Sequence, residues 1–212
     1  MIDSEDAARD WLRKLPECDD AAMERLEMLA QLLVEESQRQ NLVSASSLAE
    51  MWRRHIVDSA QLLNFVPRGT SPWLDLGTGA GFPGMVVAAL RQECEVVMVE
   101  ARAKRVAWLE RVRVALNLRN ARIIGTRVEL VEDLRAKVIS ARAFAPLERL
   151  LRLSARFSTS DTLWLLPKGR SAQQELDQLH GWNHAFHVEQ SVTEPHAGII
   201  VGTLARRKGK TS

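Results

Sequence analysis

The chain has no tyrosine and only two cysteines among its 212 residues, and Phe and Trp supply all of its 5% of aromatic side chains. Without tyrosine it lacks the Tyr/Lys pair that serves as acid and base in many nicotinamide-dependent oxidoreductases. Cys18 and Cys94 stand 76 positions apart with no metal-type spacing, which predicts two reduced thiols and excludes a disulfide framework. His180, His184 and His187 are closer together, but Gly181-Trp182-Asn183 breaks any helix that would align them, so no metal is expected. No apolar run approaches the ~20 residues that a bilayer span requires. The opening Met1-Ile2-Asp3-Ser4-Glu5-Asp6 is acidic and lacks the basic and apolar regions of a signal peptide. These absences predict a soluble, cytoplasmic protein with no membrane partner; a monomer is expected, though nothing in the sequence fixes the oligomeric state. Repeats and low-complexity segments are missing too. A chain of this length that is 46% hydrophobic can bury one sizeable core, so one main domain with an appendage is expected.

The net charge of +2 is small, but its distribution is uneven. Residues 1 to 70 carry 8 Lys/Arg and 13 Asp/Glu, a net −5, whereas residues 71 to 212 carry 21 and 14, a net +7. A positive second part suits an enzyme that must meet and hold a polyanion, and a solvated surface equally well.

What is present is concentrated in Trp73-Leu74-Asp75-Leu76-Gly77-Thr78-Gly79-Ala80-Gly81-Phe82-Pro83-Gly84, a buried strand, a glycine turn and a helix beginning near Pro83. Glycine permits positive φ and lets a bulky ligand lie against bare peptide, the geometry of a nucleotide-type pocket. Asp75 and Glu100, at the ends of two successive strands, place acceptors at the strand tips. Gly79 to Gly84 also satisfies the dinucleotide pattern G-x-G-x-x-G, with Glu100 roughly twenty residues on. A pyrophosphate wants free N–H groups at the helix start, where Pro83 removes one and Asp75 adds negative charge. A cation with an amino group and a ribose, S-adenosylmethionine, is favoured by both acids.

Leu26, Leu29, Ala30 and Leu33 recur at helical spacing within 19–40, and Leu48, Met51, Trp52, His55, Ile56 and Leu62 do so further on. Two amphipathic helices are predicted, the second with Ser47-Leu48-Ala49-Glu50 as its capping box. Pro67-Arg68-Gly69-Thr70-Ser71-Pro72 marks a boundary between a helical appendage at 1–66 and a domain at 67–212. Beyond it, strands at 73–76, 95–100, 121–125, 137–140 and 162–166 alternate with helices at 83–91, 102–117, 146–157 and one started by Ser171-Ala172-Gln173-Gln174. That alternation implies a doubly wound parallel sheet. Segments 184–190 and 198–204, joined through Glu194-Pro195-His196-Ala197, predict an antiparallel hairpin. The fold class is therefore α/β, a Rossmann-like class I methyltransferase plan with a mostly parallel sheet, an antiparallel C-terminal hairpin and an N-terminal helical appendage. Ligands in such sheets lie at the C-terminal strand tips.

With Asn41-Leu42, Arg54-His55-Ile56-Val57-Asp58-Ser59, the glycine turn with Pro83-Gly84, Lys104-Arg105, Ser140-Ala141-Arg142-Ala143-Phe144-Ala145 and Pro167-Lys168-Gly169 in that order, the chain resembles the RsmG (GidB) family of bacterial 16S ribosomal RNA guanine-N7 methyltransferases. The resemblance spans most of the chain. It implies transfer of a methyl group from S-adenosylmethionine to a guanine N7 in 16S rRNA, or in the small ribosomal subunit. It implies that Gly77, Phe82, Val128, Glu129 and Arg142 touch the cofactor, with Asp75 and Glu100 supporting its pocket; Gly79, from the glycine turn itself, is expected to bind the cofactor as well. Glu100 stands where many relatives have Asp.

Guanine N7 carries an in-plane lone pair and no proton, so its methylation needs positioning and electrostatics rather than a general base. The chain accordingly shows no Cys in a pyrimidine-methylase motif, no Asn/Asp-Pro-Pro-aromatic motif after the fourth strand and no G-x-S-x-G elbow. Arg142 is expected to hold cofactor or base, and Lys168 to grip RNA phosphate or guanine O6. On the helix at 102–117, Lys104, Arg105, Trp108 and Arg111 are expected to form an exposed basic and aromatic face for RNA. Arg206-Arg207-Lys208-Gly209-Lys210 is a further basic end. His55 and Asp58 are expected to shape the active-site wall. The same glycines leave open a NAD(P)-dependent oxidoreductase, and the basic surface leaves open a non-catalytic RNA-binding assembly protein.

Overall fold

The computed structural model describes residues 1–205, so the basic end at 206–210 lies outside the described residues. Its strands form one sheet: β1 (Trp73–Leu76), β2 (Val96–Val99), β3 (Ala121–Ile124), β4 (Val138–Ser140), β5 (Leu163–Gly169), β6 (His187–Gln190) and β7 (Gly198–Thr203). Their order is β3-β2-β1-β4-β5-β7-β6. The first five strands run parallel, and β7 is antiparallel to both β5 and β6. The hairpin thus enters the sheet second strand first. Burial explains the order: β7, Gly-Ile-Ile-Val-Gly-Thr, is buried at five of six positions, whereas β6, His-Val-Glu-Gln, tolerates an edge.

Side chains alternate across the strands and feed two cores. Trp73, Val96, Met98, Val138, Leu165 and Ile199 face one, and Leu74, Val97, Val99, Ile139, Trp164 and Ile200 face the other. The first core takes α5 (Gly84–Leu90), all of whose residues are buried, and α6 (Ala103–Ala115). The second takes α7 (Leu147–Ser154) and α8 (Ala172–Asp177). The chain leaves β1 in one direction for β2 and β3 and returns beside it as β4, so the crevice at the tips of β1 and β4 is the topological switch point.

The N-terminal segment shares the first core with the sheet, through Leu12, Leu26, Leu29, Leu33, Ile56 and Leu62. It is more broken than its periodicity predicts. An unanticipated α1 (Glu5–Leu12) precedes α2 (Asp20–Ser37), which Asp19 caps by accepting the Ala22 N–H. The predicted second helix is divided into α3 (Ala45–Leu48), a π-helical turn at Trp52–Val57, α4 (Asp58–Ala60) and a 3-10 turn at Gln61–Phe65. The capping box is also displaced. Ser44, not Ser47, caps α3 by accepting the Ser47 N–H, and Glu50 pairs with Arg53 and Arg54 instead of reaching back. The Glu5 carboxylate accepts the N–H groups of Trp52 and Arg53, 2.9 Å each, and so holds the start of the π-helical turn.

Candidate active site

At the tip of β1 the chain turns through Gly77, Gly79 and Gly81 with φ of +64, +61 and +107°, a region costing roughly 1–2 kcal/mol for a residue with a Cβ. Asp75 and Glu100 fix this turn from within. Asp75 is completely buried; its Oδ2 accepts the Gly84 N–H at 3.0 Å and its Oδ1 the Ser140 hydroxyl at 2.8 Å. Ser140 in turn accepts the Trp73 indole N–H at 2.8 Å. Burial pushes the Asp75 carboxyl above the usual carboxylate range, against the hydrogen bonds it accepts. Glu100 spans the turn from β2, accepting the Gly79 N–H at 3.0 Å and the Arg102 N–H at 2.8 Å. Both acids, read from sequence as ligand acceptors, spend these oxygens on backbone N–H groups and a hydroxyl of the chain itself.

A cavity of about 240 Å³ lies beside this turn, lined by Gly77, Val99, Glu100, Arg105, Val128 and Phe144 among others. A second, of about 660 Å³, opens beyond it and carries Arg54, Asp58, Arg142, Lys168, Glu175 and Glu194. Ala143 and Phe144 line both. Val128 thus meets the smaller cavity, in a 3-10 turn at Val128–Leu130, while Glu129 is exposed and does not line it. Phe82 is buried beneath the site, where its ring stacks on His55 at 5.0 Å and carries the Arg142 guanidinium at 5.2 Å. Gly79 lies under the Arg105 guanidinium.

Arg142 follows β4 and is held by the π-helical segment. Its Nη1 donates to the Arg54 carbonyl at 3.1 Å and to Asp58 Oδ2 at 3.2 Å, and its Nη2 meets His55 Nδ1 at 3.0 Å. A guanidinium only donates, so His55 Nδ1 accepts and the ring proton sits on Nε2. Burial first, then the charges of Arg142 and Arg54, lower the His55 pKa to about 3, so the ring is neutral at physiological pH. The Nε–H and one Nη2–H of Arg142 remain uncommitted among the described residues. The Asp58 carboxylate also offsets the guanidinium charge.

Lys168 sits differently from expectation. Its ammonium is almost wholly buried, donates to the Ala145 carbonyl at 2.6 Å and pairs with Glu175 at 2.9 Å. Burial opposes ionisation of Glu175, but Lys168, Ser171 and the Leu147 N–H together hold its carboxyl below the usual value. Lys168, on β5, therefore fastens the loop after β4 to α8, whose Glu175 also takes the first N–H of α7, and is not free to grip a phosphate.

The face expected on α6 is corrected as well. Trp108 is buried, its indole N–H donating to the Ala80 carbonyl at 3.0 Å, and it packs under the glycine turn rather than presenting a stacking surface. A period of 3.6 places residue 108 on the same face as the buried Val112, one turn on, and that face is turned to the core. Arg111 pairs with Glu36 of α2 at 2.6 Å and ties α2 to α6. Arg105 approaches Glu100 at 3.9 Å and lines the smaller cavity, so it belongs to the pocket. Lys104 alone of the four is exposed without an ion pair among the described residues. Phe144 and Arg54, given no role from sequence, stand at the centre of the site; the signal was an aromatic between two alanines directly after β4.

The sequence pattern of the family described as rRNA small subunit methyltransferase G matches residues 22–198. The chain belongs to this family. It is 57% identical over 212 residues to the ribosomal RNA small subunit methyltransferase G of Erythrobacter litoralis, all of both chains being covered. It is 41% identical to that of Zymomonas mobilis, over 95% of each. Among solved structures, a SAM-dependent methyltransferase from Aquifex aeolicus shares the fold with a TM-score of 0.59 at 14% identity, over 80% of this chain and 98% of that one. A fibrillarin from Aeropyrum pernix with natively bound S-adenosyl-L-methionine does so with a TM-score of 0.55 at 15% identity, over 71% and 75%.

The methyl donor this family implies fits the turn. At Gly77 and Gly79 no Cβ stands between the backbone and a ligand, the side chains over them being those of Phe144 and Arg105, and an acid lies in the wall. A dinucleotide fits poorly, since the first N–H of α5, on Gly84, is already taken by a carboxylate where a pyrophosphate would sit. No helix among the described residues is long and apolar enough to cross a membrane.

Proposed function

We propose that the protein transfers a methyl group from S-adenosylmethionine to N7 of a guanine in 16S ribosomal RNA, acting as a cytoplasmic monomer. The observation that carries this reading is the meeting, at Ala143 and Phe144, of a small glycine-lined cavity with a larger one that displays Arg54 and Arg142. S-adenosylmethionine, when bound, supplies a sulfonium methyl whose C–S bond breaks as the N7 lone pair forms the new N–C bond, leaving S-adenosylhomocysteine and a cationic 7-methylguanine. No proton moves, so the site needs no base.

The chain's residues position and balance charge. Gly77, Val99, Glu100, Arg105 and Val128 receive the nucleoside half of the donor, and Gly77 and Gly79 let it lie against the backbone. Asp75 acts at one remove by holding Gly84 and the start of α5. Arg142 directs its uncommitted N–H groups at the incoming base or at the donor's carboxylate. The pairing of Arg142 with Asp58 limits repulsion of the ring charge that develops on guanine. Arg54 and Lys104 contribute phosphate contacts. Residues 1–66 form an appendage to the methyltransferase domain at 67–212 and lend it the Arg142 clamp.

The test incubates the protein with labelled S-adenosylmethionine and small-subunit RNA, free or as particles, from cells lacking the enzyme, and maps N7-methylguanine by chain cleavage. Label at a single guanine N7 is expected. Label on another base, or none with calorimetric binding of NAD, overturns the reading.

A further inference from the structure

Phe144 occupies an unusual place. Its ring lies over the bare α-carbon of Gly77, with Cδ2 in the space that a Cβ would have to occupy. It thereby covers the surface that the proposed cofactor needs. The same ring lines the larger cavity. Among the described lining residues it is the one aromatic face on which a planar base entering that cavity can stack.

The chain around Phe144 is built to move at that point. Ala143 has φ +51°, a region that residues with a Cβ rarely occupy. On one side Arg142 is clamped by Arg54, His55 and Asp58. On the other the Ala145 carbonyl is held by Lys168 and the Leu147 N–H by Glu175, at 2.7 Å. Ala143 and Phe144 themselves make no backbone hydrogen bond among the described residues, so a strained, unpinned dipeptide lies between two fixed posts.

We propose that Phe144 is a substrate-positioning residue with two stations. It rests on Gly77 when the smaller cavity is free, and a bound cofactor displaces it into the larger cavity, where its ring becomes the stacking face for the target base. Cofactor binding then completes the base site, and the two ligands bind in order, cofactor first. This inference rests on the function proposed above.

The test uses the full chain labelled with 4-fluorophenylalanine, which gives five fluorine resonances for its five Phe. The Phe144 resonance is the one missing from F144L. Adding S-adenosylhomocysteine is expected to shift it; a Phe144 signal unmoved by saturating S-adenosylhomocysteine overturns the proposal. In parallel, F144A, F144L and F144W are compared for S-adenosylhomocysteine affinity and for methyl transfer to unmodified small-subunit RNA. F144A and F144L should bind S-adenosylhomocysteine at least as tightly as the parent yet lose about tenfold or more in kcat/KM for RNA, with F144W recovering most of it. Leucine performing as well as tryptophan would refute stacking. Failure of the unsubstituted protein to bind S-adenosylhomocysteine or to methylate RNA would instead sink the function itself, so the two failures are distinguishable.

Discussion

Arg142 Nη2 and His55 Nδ1 meet at 3.0 Å, a guanidinium donating to an imidazole that burial and neighbouring charge keep neutral down to a pKa of about 3. The two residues come from separate parts of the chain, and the contact exists because a π-helical turn at Trp52–Val57 presents His55 to the end of β4. Replacing His55 by Phe keeps an aromatic ring on Phe82 and removes the acceptor. Loss of a charge-assisted bond of roughly 1.5–3 kcal/mol predicts a fall of about ten- to a hundredfold in kcat/KM for RNA. Unaltered kinetics in H55F would show that the clamp does not position Arg142.

The same imidazole sets a pH dependence of stability. Its folded pKa of about 3 lies below the unfolded value of 6.5, so between these pH values the unfolded chain binds more protons. Stability therefore rises with pH from about 3 to 6.5 on account of His55 and is level above. Urea unfolding at pH 4, 5, 6 and 7 should show a shallower rise in H55F. The rate profile between pH 6 and 8 should carry no inflection that H55F abolishes.

Gly77 cannot accept a Cβ without strain at φ +64° and without displacing the Phe144 ring. Gly77→Ala should lower the melting temperature by roughly 2–8 °C, corresponding to about 1–2 kcal/mol. It should also weaken S-adenosylhomocysteine binding by about tenfold or more in calorimetry, because the methyl group stands where ligand meets backbone.

Trp108→Phe should cost about 1 kcal/mol through the lost bond to the Ala80 carbonyl, a drop of roughly 2–4 °C in melting temperature. RNA affinity and its salt dependence should stay unchanged. A weaker RNA complex with normal stability would restore Trp108 to the RNA surface.

Lys104 and Arg111 separate charge that is free from charge that is spent. Lys104→Glu should weaken RNA binding and reduce its salt slope by about one or more ions. Arg111→Glu should chiefly disturb the contact with Glu36, whose loss at this partly exposed pair costs at most about 1 kcal/mol before the new like-charge repulsion. Filter binding across a salt series distinguishes them.

Glu175→Gln should remove an acid-sensitive fastening. The folded Glu175 pKa lies below its usual 4.5, so its contribution is complete above that value and is lost as pH falls through the folded pKa. Thermal melts from pH 3 to 7 should be less acid-dependent in the variant, and Lys168, left without its carboxylate, should destabilise the loop after β4 at neutral pH.

Much of this protein is written locally. The alternation of strands and helices after residue 72, the glycine turn and the final hairpin follow from periodicity and from residues with special backbone preferences, which act over a few positions. These features, with ordered short motifs, were enough for the fold and family. Other matters depended on distant partners. Whether Trp108 faced water or Ala80, whether Lys168 was free or bound to Glu175, and whether Asp75 pointed at a ligand or at Gly84 could be decided only by what each side chain met. The division of the second N-terminal helix also depended on distant partners, because Glu5 takes the N–H groups of Trp52 and Arg53 from 47 and 48 residues away. Sequence by itself determined which segments form strands, helices and turns, because those preferences are intrinsic to short stretches of backbone. Tertiary structure decided which charges and rings remain available for chemistry, because a buried group is committed to whichever donor or acceptor the fold brings within 3 Å.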